Sequence, residues 1–185
     1  FRRVLFRSVI GGGLAGTASA EALARRGWQV TLIERNAELA QEGSGNPLGV
    51  LYPRLIGGDT PVNQLAFDGF LYTLKLLNRL PLNAKDLSLC GVLQLAFNAR
   101  EQARLNKIST QYPELIQETN KEKASELAGI ALSFDGAFIP QAGWVSPPVL
   151  CQVLAAHPKI QTKHLTNAIT LEKTNGVWQV LDAQK

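Results

Sequence analysis

The chain has 185 residues, 45% hydrophobic and 18% charged, enough apolar content for a sizeable core and too much for a disordered chain. No run approaches the roughly 20 apolar residues of a membrane span, and the opening "FRRVLFRS" leads into a glycine turn without a signal-peptide cleavage pattern. The net charge of +4 falls to 16 basic against 15 acidic residues once Arg2, Arg3 and Arg7 are set aside, so charge alone carries no argument for nucleic-acid binding.

Those three arginines mark the first eight residues as unusual. A first strand buried in a parallel sheet reads as a near-continuous apolar run, whereas "VLF" here is flanked by arginines. Residues 1–8 are therefore expected to be a non-native scar of sequencing or cloning. From Val9 the pattern is regular. Val9-Ile10 ends a short strand, glycines turn the chain, and alanines at 15, 18, 20, 22 and 24 build a helix over residues 15–26. Gly27 stands where a left-handed C-cap belongs, and residues 28–33 form a β-rich run ending in Glu34-Arg35. Strand, tight turn, helix, strand requires a parallel pair with a right-handed crossover.

The turn "GGGLAG" carries the chemistry. Gly11, Gly13 and Gly16 have the G-x-G-x-x-G spacing, leave a strand and open a helix, and Glu34 follows 18 residues beyond Gly16. In this arrangement Gly11 permits the turn, Gly13 lets backbone approach a diphosphate and Gly16 lets helix and strand pack closely. The helix N-terminus offers N–H groups and a positive dipole end to phosphate, and Glu34 can accept ribose hydroxyls while repelling a 2′-phosphate. The motif predicts dinucleotide binding and leaves open whether the ligand is FAD or NAD.

The stretch "NAELAQEGSGNPLGVLYPRLIGGDTP" that follows holds five of the 16 glycines and three of the nine prolines. It reads as a long functional loop, in which Ser44-Gly45-Asn46-Pro47-Leu48-Gly49 would let backbone run close to a flat ligand. Beyond it, residues 63–79 show a helical period stopped by Pro81, "GVLQLAF" alternates as a strand, and residues 99–112 and "KEKASELAG" read as helices. "GAFIPQAGWVSPPVLCQVLAAHP" reads as strand, turn and helix, with Ser146 as N-cap, Pro147 at N1 and Pro158 closing it. The last stretch is a hairpin turning at Thr174-Asn175-Gly176, since Asn-Gly suits a type I′ loop. Cys90 and Cys151 are too few and isolated for a disulfide framework or thiolate metal site. No metal site is expected.

Three stretches carry a resemblance: "VIGGGLAGTASAEALARRGWQVTLIER", "GSGNPLGVLYPRL" and "GWVSPPVLCQVLAAH". Here the chain resembles the FAD-dependent oxidoreductases of the D-amino-acid oxidase and glycine oxidase superfamily. Within it, the chain is most similar to the C-terminal oxidoreductase domain of the bifunctional MnmC enzymes of tRNA wobble-uridine modification. The likeness runs from Val9 to Lys185. It implies an α/β fold: a Rossmann-like FAD-binding domain with a parallel sheet built on the βαβ unit, plus part of an α+β substrate domain with an antiparallel sheet, the whole expected to be truncated. The expected division is residues 9–60 for the first part of the FAD domain with its flavin-contacting loop, 61–145 for a substrate or cap region, and 146–185 for a helix and hairpin leading back toward the rest of the FAD domain.

The resemblance implies that Gly11, Gly12, Gly13, Leu14, Ala15 and Gly16 hold the FAD diphosphate. Glu34 would hold the adenosine ribose, Arg35 would lie over the adenine side, and Ser44, Gly45, Asn46 and Gly49 would approach the flavin. Tyr52 and Arg54 are candidates for the flavin or substrate face. No catalytic residue is assigned. Relatives that attach flavin covalently use His or Cys; residues 36–60 contain neither, so FAD is expected to be non-covalent, and His157 and His164 read as surface or capping residues. The implied reaction is oxidative removal of the carboxymethyl group of carboxymethylaminomethyl-uridine in tRNA, in a cytoplasmic, membrane-independent enzyme whose other domain is an N-terminal methyltransferase. A small-molecule amine or amino-acid oxidase and a non-catalytic dinucleotide-binding module remain as alternatives.

Overall fold

A computed structural model of the chain describes residues 6–182. In chain order the elements are β1 (Phe6–Ile10), α1 (Leu14–Arg25), β2 (Gln29–Ile33), β3 (Gly49–Leu51), α2 (Pro61–Leu77), β4 (Leu87–Ser88), β5 (Val92–Leu95) and α3 (Ala99–Gln111). They continue with β6 (Gln117–Thr119), α4 (Lys121–Ala128), β7 (Gly136–Ile139), β8 (Gly143–Val145), α5 (Pro147–Ala155), β9 (Ile160–Lys163), β10 (Ala168–Thr174) and β11 (Val177–Asp182). They form two compact units. One comprises the described residues up to Gly49, Leu80–Leu82 and those from Ser146 onward; the other comprises residues 50–79 and 83–145.

The first unit is built on a parallel sheet of order β1-β2-β9, with Val9 opposite Leu32 and Leu32 opposite Thr162. The βαβ unit is present as the sequence predicts. Helix α1 ends because Gly27 takes φ +100° and donates its N–H to Ala24 O, a left-handed exit that costs glycine no steric penalty. The buried face of α1 is small, with Thr17, Ala20 and Ala24, so the helix packs closely against the sheet and α5. Ala20, Ala24 and Val30 form a cluster flanked by Val9, Leu23, Trp28 and Ile160.

Between the helix closed by Pro158 and the final hairpin the structure adds a strand. The structure puts β9 beside β2, so α5 and β9 repeat the helix-to-parallel-strand return of α1 and β2. Helix α5 starts at Pro147, preceded by Ser146 in the N-cap position. The Ser146 side chain makes no capping hydrogen bond, which corrects the expected capping role; the proline's fixed φ pre-organises that start instead. The final hairpin is antiparallel, and Asn175 and Gly176 both have positive φ, 53° and 80°, as a type I′ turn requires. Of the suspected scar, residues 1–5 lie outside the described residues, while Phe6, Arg7 and Ser8 run in register with Gln29, Val30 and Thr31.

The second unit carries the antiparallel sheet β5-β7-β6 and the small sheet β3-β8-β4. Its core gathers Leu55, Phe70, Leu105, Ile108 and Ile139, with Phe67 stacked on Tyr112 at 5.1 Å between ring centres. Helices α2, α3 and α4 open on Thr60, Asn98 and Asn120, whose side chains accept the N–H three residues on. The "GAFIPQAGWV" stretch forms two strands, β7 and β8, rather than one.

Candidate cofactor-binding site

The site begins where β1 ends. Gly11 takes φ +97° and donates its N–H to Ile33 O at 2.8 Å, pinning the turn to the tip of β2. At Gly16 a Cβ would stand 1.8 Å from Gly11 O, so only glycine lets the first turn of α1 sit against this loop. Those are the roles the spacing predicts.

Helix α1 opens on Gly13, which brings no capping side chain. The cap arrives from a distance: Ser44 Oγ accepts the Leu14 N–H at 3.1 Å. Among the described residues the N–H groups of Gly13, Ala15 and Gly16 have no acceptor, as expected for the orphan donors of a helix start. They are available to an anion at the positive end of the helix dipole.

Glu34 stands at the end of β2, buried, with Oε2 accepting the Gly12 N–H at 2.6 Å and Oε1 accepting the Asn36 N–H at 2.8 Å. The segment after it folds back over the turn. Ala40, in a left-handed conformation at φ 60°, donates its N–H to Gly12 O at 3.1 Å. Glu42 pairs with Arg35 and accepts from Asn36 Nδ2 at 3.3 Å. This pairing holds the Glu42 carboxyl below the usual carboxylate range, chiefly through the Arg35 hydrogen bond and then that of Asn36, and raises the Arg35 guanidinium further.

These pieces enclose a cleft of about 350 Å³, lined by the glycine turn, by Glu34, Arg35 and Asn36, and by Ser44 and Thr166 among others. It lies at the carboxyl ends of parallel strands, where open α/β sheets bind ligands. The donor set fits a dinucleotide: three unpaired N–H groups for a diphosphate, and a fixed carboxylate for sugar hydroxyls. Gly11, Gly12, Gly13, Glu34, Arg35 and Ser44 line it, and Leu14, Ala15 and Gly16 form the adjoining helix start. Gly45, Asn46 and Gly49 are not in its lining; the Gly45 N–H goes to Glu42 O, Asn46 is exposed and Gly49 begins β3. Ser44 thus sits at the helix mouth. Tyr52 and Arg54 are exposed in the second unit.

The sequence reading misses Asn36, Glu42 and Thr166, which line the cleft. Thr166 follows β9, and its N–H goes to Glu34 O at 3.0 Å; a third parallel strand would have signalled it, since ligand loops follow strand ends. His157 Nδ1 accepts the Lys159 N–H, a local capping role, and His164 is exposed. Cys151 is buried and Cys90 exposed; burial pushes the Cys151 thiol up, with a neighbouring Thr17 hydrogen bond pulling the other way. Among the described residues no group of three or more His, Cys, Asp or Glu side chains is placed to hold a metal ion, and no helix is long and apolar enough to cross a membrane.

Comparison with known proteins agrees with this geometry. The DAO family, FAD dependent oxidoreductase, matches residues 8–185. The tRNA 5-methylaminomethyl-2-thiouridine biosynthesis bifunctional protein MnmC of Pseudomonas aeruginosa (strain UCBPP-PA14) is 50% identical over 171 residues, covering 92% of this chain and 26% of that protein. The MnmC of Methylobacillus flagellatus is 47% identical over 174 residues, covering 93% of this chain and 27% of that protein. The chain therefore spans about a quarter of the length of the curated relatives it matches. Among solved structures, glycine oxidase from Geobacillus kaustophilus is similar in fold, with a TM-score of 0.77 at 22% identity over 94% of this chain and 50% of that one. With the family match running over nearly its whole length, this chain belongs to the DAO family of FAD-dependent oxidoreductases.

Proposed function

We propose that this chain supplies FAD-binding structure to an oxidoreductase acting on the tRNA wobble uridine. The reaction removes the carboxymethyl group of carboxymethylaminomethyl-(2-thio)uridine, giving aminomethyl-uridine and glyoxylate. The observation that carries this reading is the 47–50% identity, over more than nine-tenths of the chain, to proteins named for 5-methylaminomethyl-2-thiouridine biosynthesis. Their name also says bifunctional, which supports a second activity; an N-terminal methyltransferase is the one proposed. The proposed setting is the cytoplasm, where tRNA is modified.

Bound FAD would supply the two-electron oxidation, taking up the hydride from the carbon beside the secondary amine, and water would hydrolyse the imine to aminomethyl-uridine and glyoxylate. The chain's own residues bind and orient. The N–H groups of Gly13, Ala15 and Gly16 take the diphosphate, and the Glu34 carboxylate takes ribose hydroxyls while its backbone bonds keep it from turning. Ser44 Oγ holds the start of the helix beside them by accepting the Leu14 N–H. Neither His nor Cys occurs in residues 36–60, so retention rests on these contacts and not on a covalent link. Such positioning dominates when the reaction needs little acid–base help.

A small-molecule oxidase is the second reading, favoured by the fold likeness to glycine oxidase. The test is to assay the FAD-loaded, full-length oxidoreductase against tRNA bearing the carboxymethylaminomethyl group and against glycine, sarcosine and D-amino acids. Flavin bleaching with release of glyoxylate on modified tRNA alone is expected. Turnover of a free amino acid without tRNA overturns the tRNA reading in favour of the second. Bound flavin that no amine reduces overturns both and leaves a non-catalytic module.

A further inference from the structure

The rim of the cleft holds an arrangement that the diphosphate and ribose contacts do not use. Three donors converge on one oxygen, Glu42 Oε1: Arg35 Nε at 2.6 Å, Asn36 Nδ2 at 3.3 Å, and the terminal guanidinium nitrogen of Arg35. Arg35, Asn36 and Glu42 all line the cleft, on the side where Glu34 stands. The loop that brings Glu42 there is tethered at both ends of its path, by Ala40 to Gly12 and by Ser44 to Leu14.

Arg35 and Glu42 are 59% and 54% exposed, so their pairing adds little to folding stability. Its effect is on order and charge. A free arginine at such a rim samples many rotamers and would be drawn to the nearest phosphate. Clamped to Glu42, its guanidinium loses that freedom before any ligand arrives, which lowers the entropic cost of binding. Paired with a carboxylate, it offers a flat face rather than a net charge. A planar, weakly hydrated guanidinium of this kind stacks on an aromatic heterocycle.

We propose that Glu42 is a positioning residue for the adenosine half of FAD, acting through Arg35 and Asn36, which it holds in the orientation that receives the adenine. This rests on FAD occupying the cleft and is independent of which amine the enzyme oxidises. It separates two parts of the site: the glycine turn and Ser44 serve the diphosphate, and the Arg35–Asn36–Glu42 cluster serves the base.

The test is equilibrium binding to the full-length protein freed of FAD, with FAD and ADP as adenosine-bearing probes and FMN as the probe lacking adenosine. Glu42→Gln and Arg35→Ala are each expected to weaken FAD and ADP about fivefold, the scale of one exposed charge pair. The double variant should lose clearly less than the two single losses added together, and the FMN affinity and the melting temperature of the FAD-free protein should stay as in the wild type. Unchanged FAD and ADP affinity in Glu42→Gln overturns the proposal. So do additive losses in the double variant, or an equal loss for FMN, since either denotes general damage to the cleft. A protein inactive on modified tRNA whose FAD and ADP affinities still respond to Glu42 supports this inference while the reading of its substrate fails.

Discussion

Glu34 Oε2 lies 2.6 Å from the Gly12 nitrogen, a buried hydrogen bond spanning 22 residues that ties the tip of β2 to the turn opening α1. The other carboxylate oxygen holds the Asn36 N–H. One side chain therefore fixes the glycine turn, fixes the start of the covering loop, and faces the cleft. Strut and proposed ligand group are the same residue.

Glu34→Gln tests that double duty. An amide has one acceptor oxygen where the carboxylate has two, so one of the two backbone donors would face an NH₂ group. Leaving a buried donor unpaired costs about 1–3 kcal/mol. A lower denaturation midpoint of the FAD-free protein is expected together with weaker FAD binding, both measurable on one preparation by chemical unfolding and by flavin fluorescence.

Gly11 and Gly16 should fail differently on substitution. At Gly11 an added Cβ meets nothing within 4 Å, and the penalty is the φ of +97° alone, about 1–3 kcal/mol. At Gly16 it would stand 1.8 Å from Gly11 O, and helix and loop must separate. Gly11→Ala is expected to lower the melting temperature and keep weakened FAD binding. Gly16→Ala is expected to cost about 3 kcal/mol or more and to purify without the flavin absorption bands.

Ser44→Ala removes the side-chain acceptor of the Leu14 N–H, the first residue of α1. Loss of an N-cap acceptor costs about 1 kcal/mol. Urea unfolding of the FAD-free protein should show that loss. Because bound diphosphate can satisfy the same donor, the deficit should shrink when FAD is present, and an equal deficit in both forms would count against this placement of Ser44.

The cysteines give a chemical readout. Cys90 is exposed and Cys151 buried, with its thiol pushed up by desolvation. Iodoacetamide at neutral pH should label Cys90 in the native chain and reach Cys151 only on unfolding, as peptide mass spectrometry would show. The sign of the pH effect follows. A thiol raised in the folded state contributes stability that is present below its ordinary value and lost as pH rises through the folded one. Stability should therefore decline above about pH 9, and less so in Cys151→Ala.

Much of the site was legible because its signals are local. Gly11, Gly16 and Gly27 are read from spacing and from the conformations that only glycine tolerates, and Asn175-Gly176 from turn chemistry. Glu34 is legible because a strand end lies a fixed distance from the motif. What escaped is tertiary. The bond from Ser44 to Leu14 spans 30 residues, and nothing in "SGN" states which backbone group its hydroxyl will meet. Strand β9, "IQTK", is four residues long and half polar, too short to show a period. Its place beside β2 is set by α5 packing on α1, which no window of sequence displays. The left-handed Ala40 is a compromise imposed by the loop's two anchors and has no compositional cue.

The order β1-β2-β9 leaves β1 with a partner on one side only among the described residues, and Phe6 and Ile10 on that strand are 71% and 49% exposed. A strand so placed offers a row of hydrogen-bonding groups beside greasy side chains, a template for intermolecular ladder growth. Handled alone at millimolar concentration, this polypeptide should thicken toward aggregates seeded along that border, and a charged residue in place of Phe6 is the simplest way to keep it in solution.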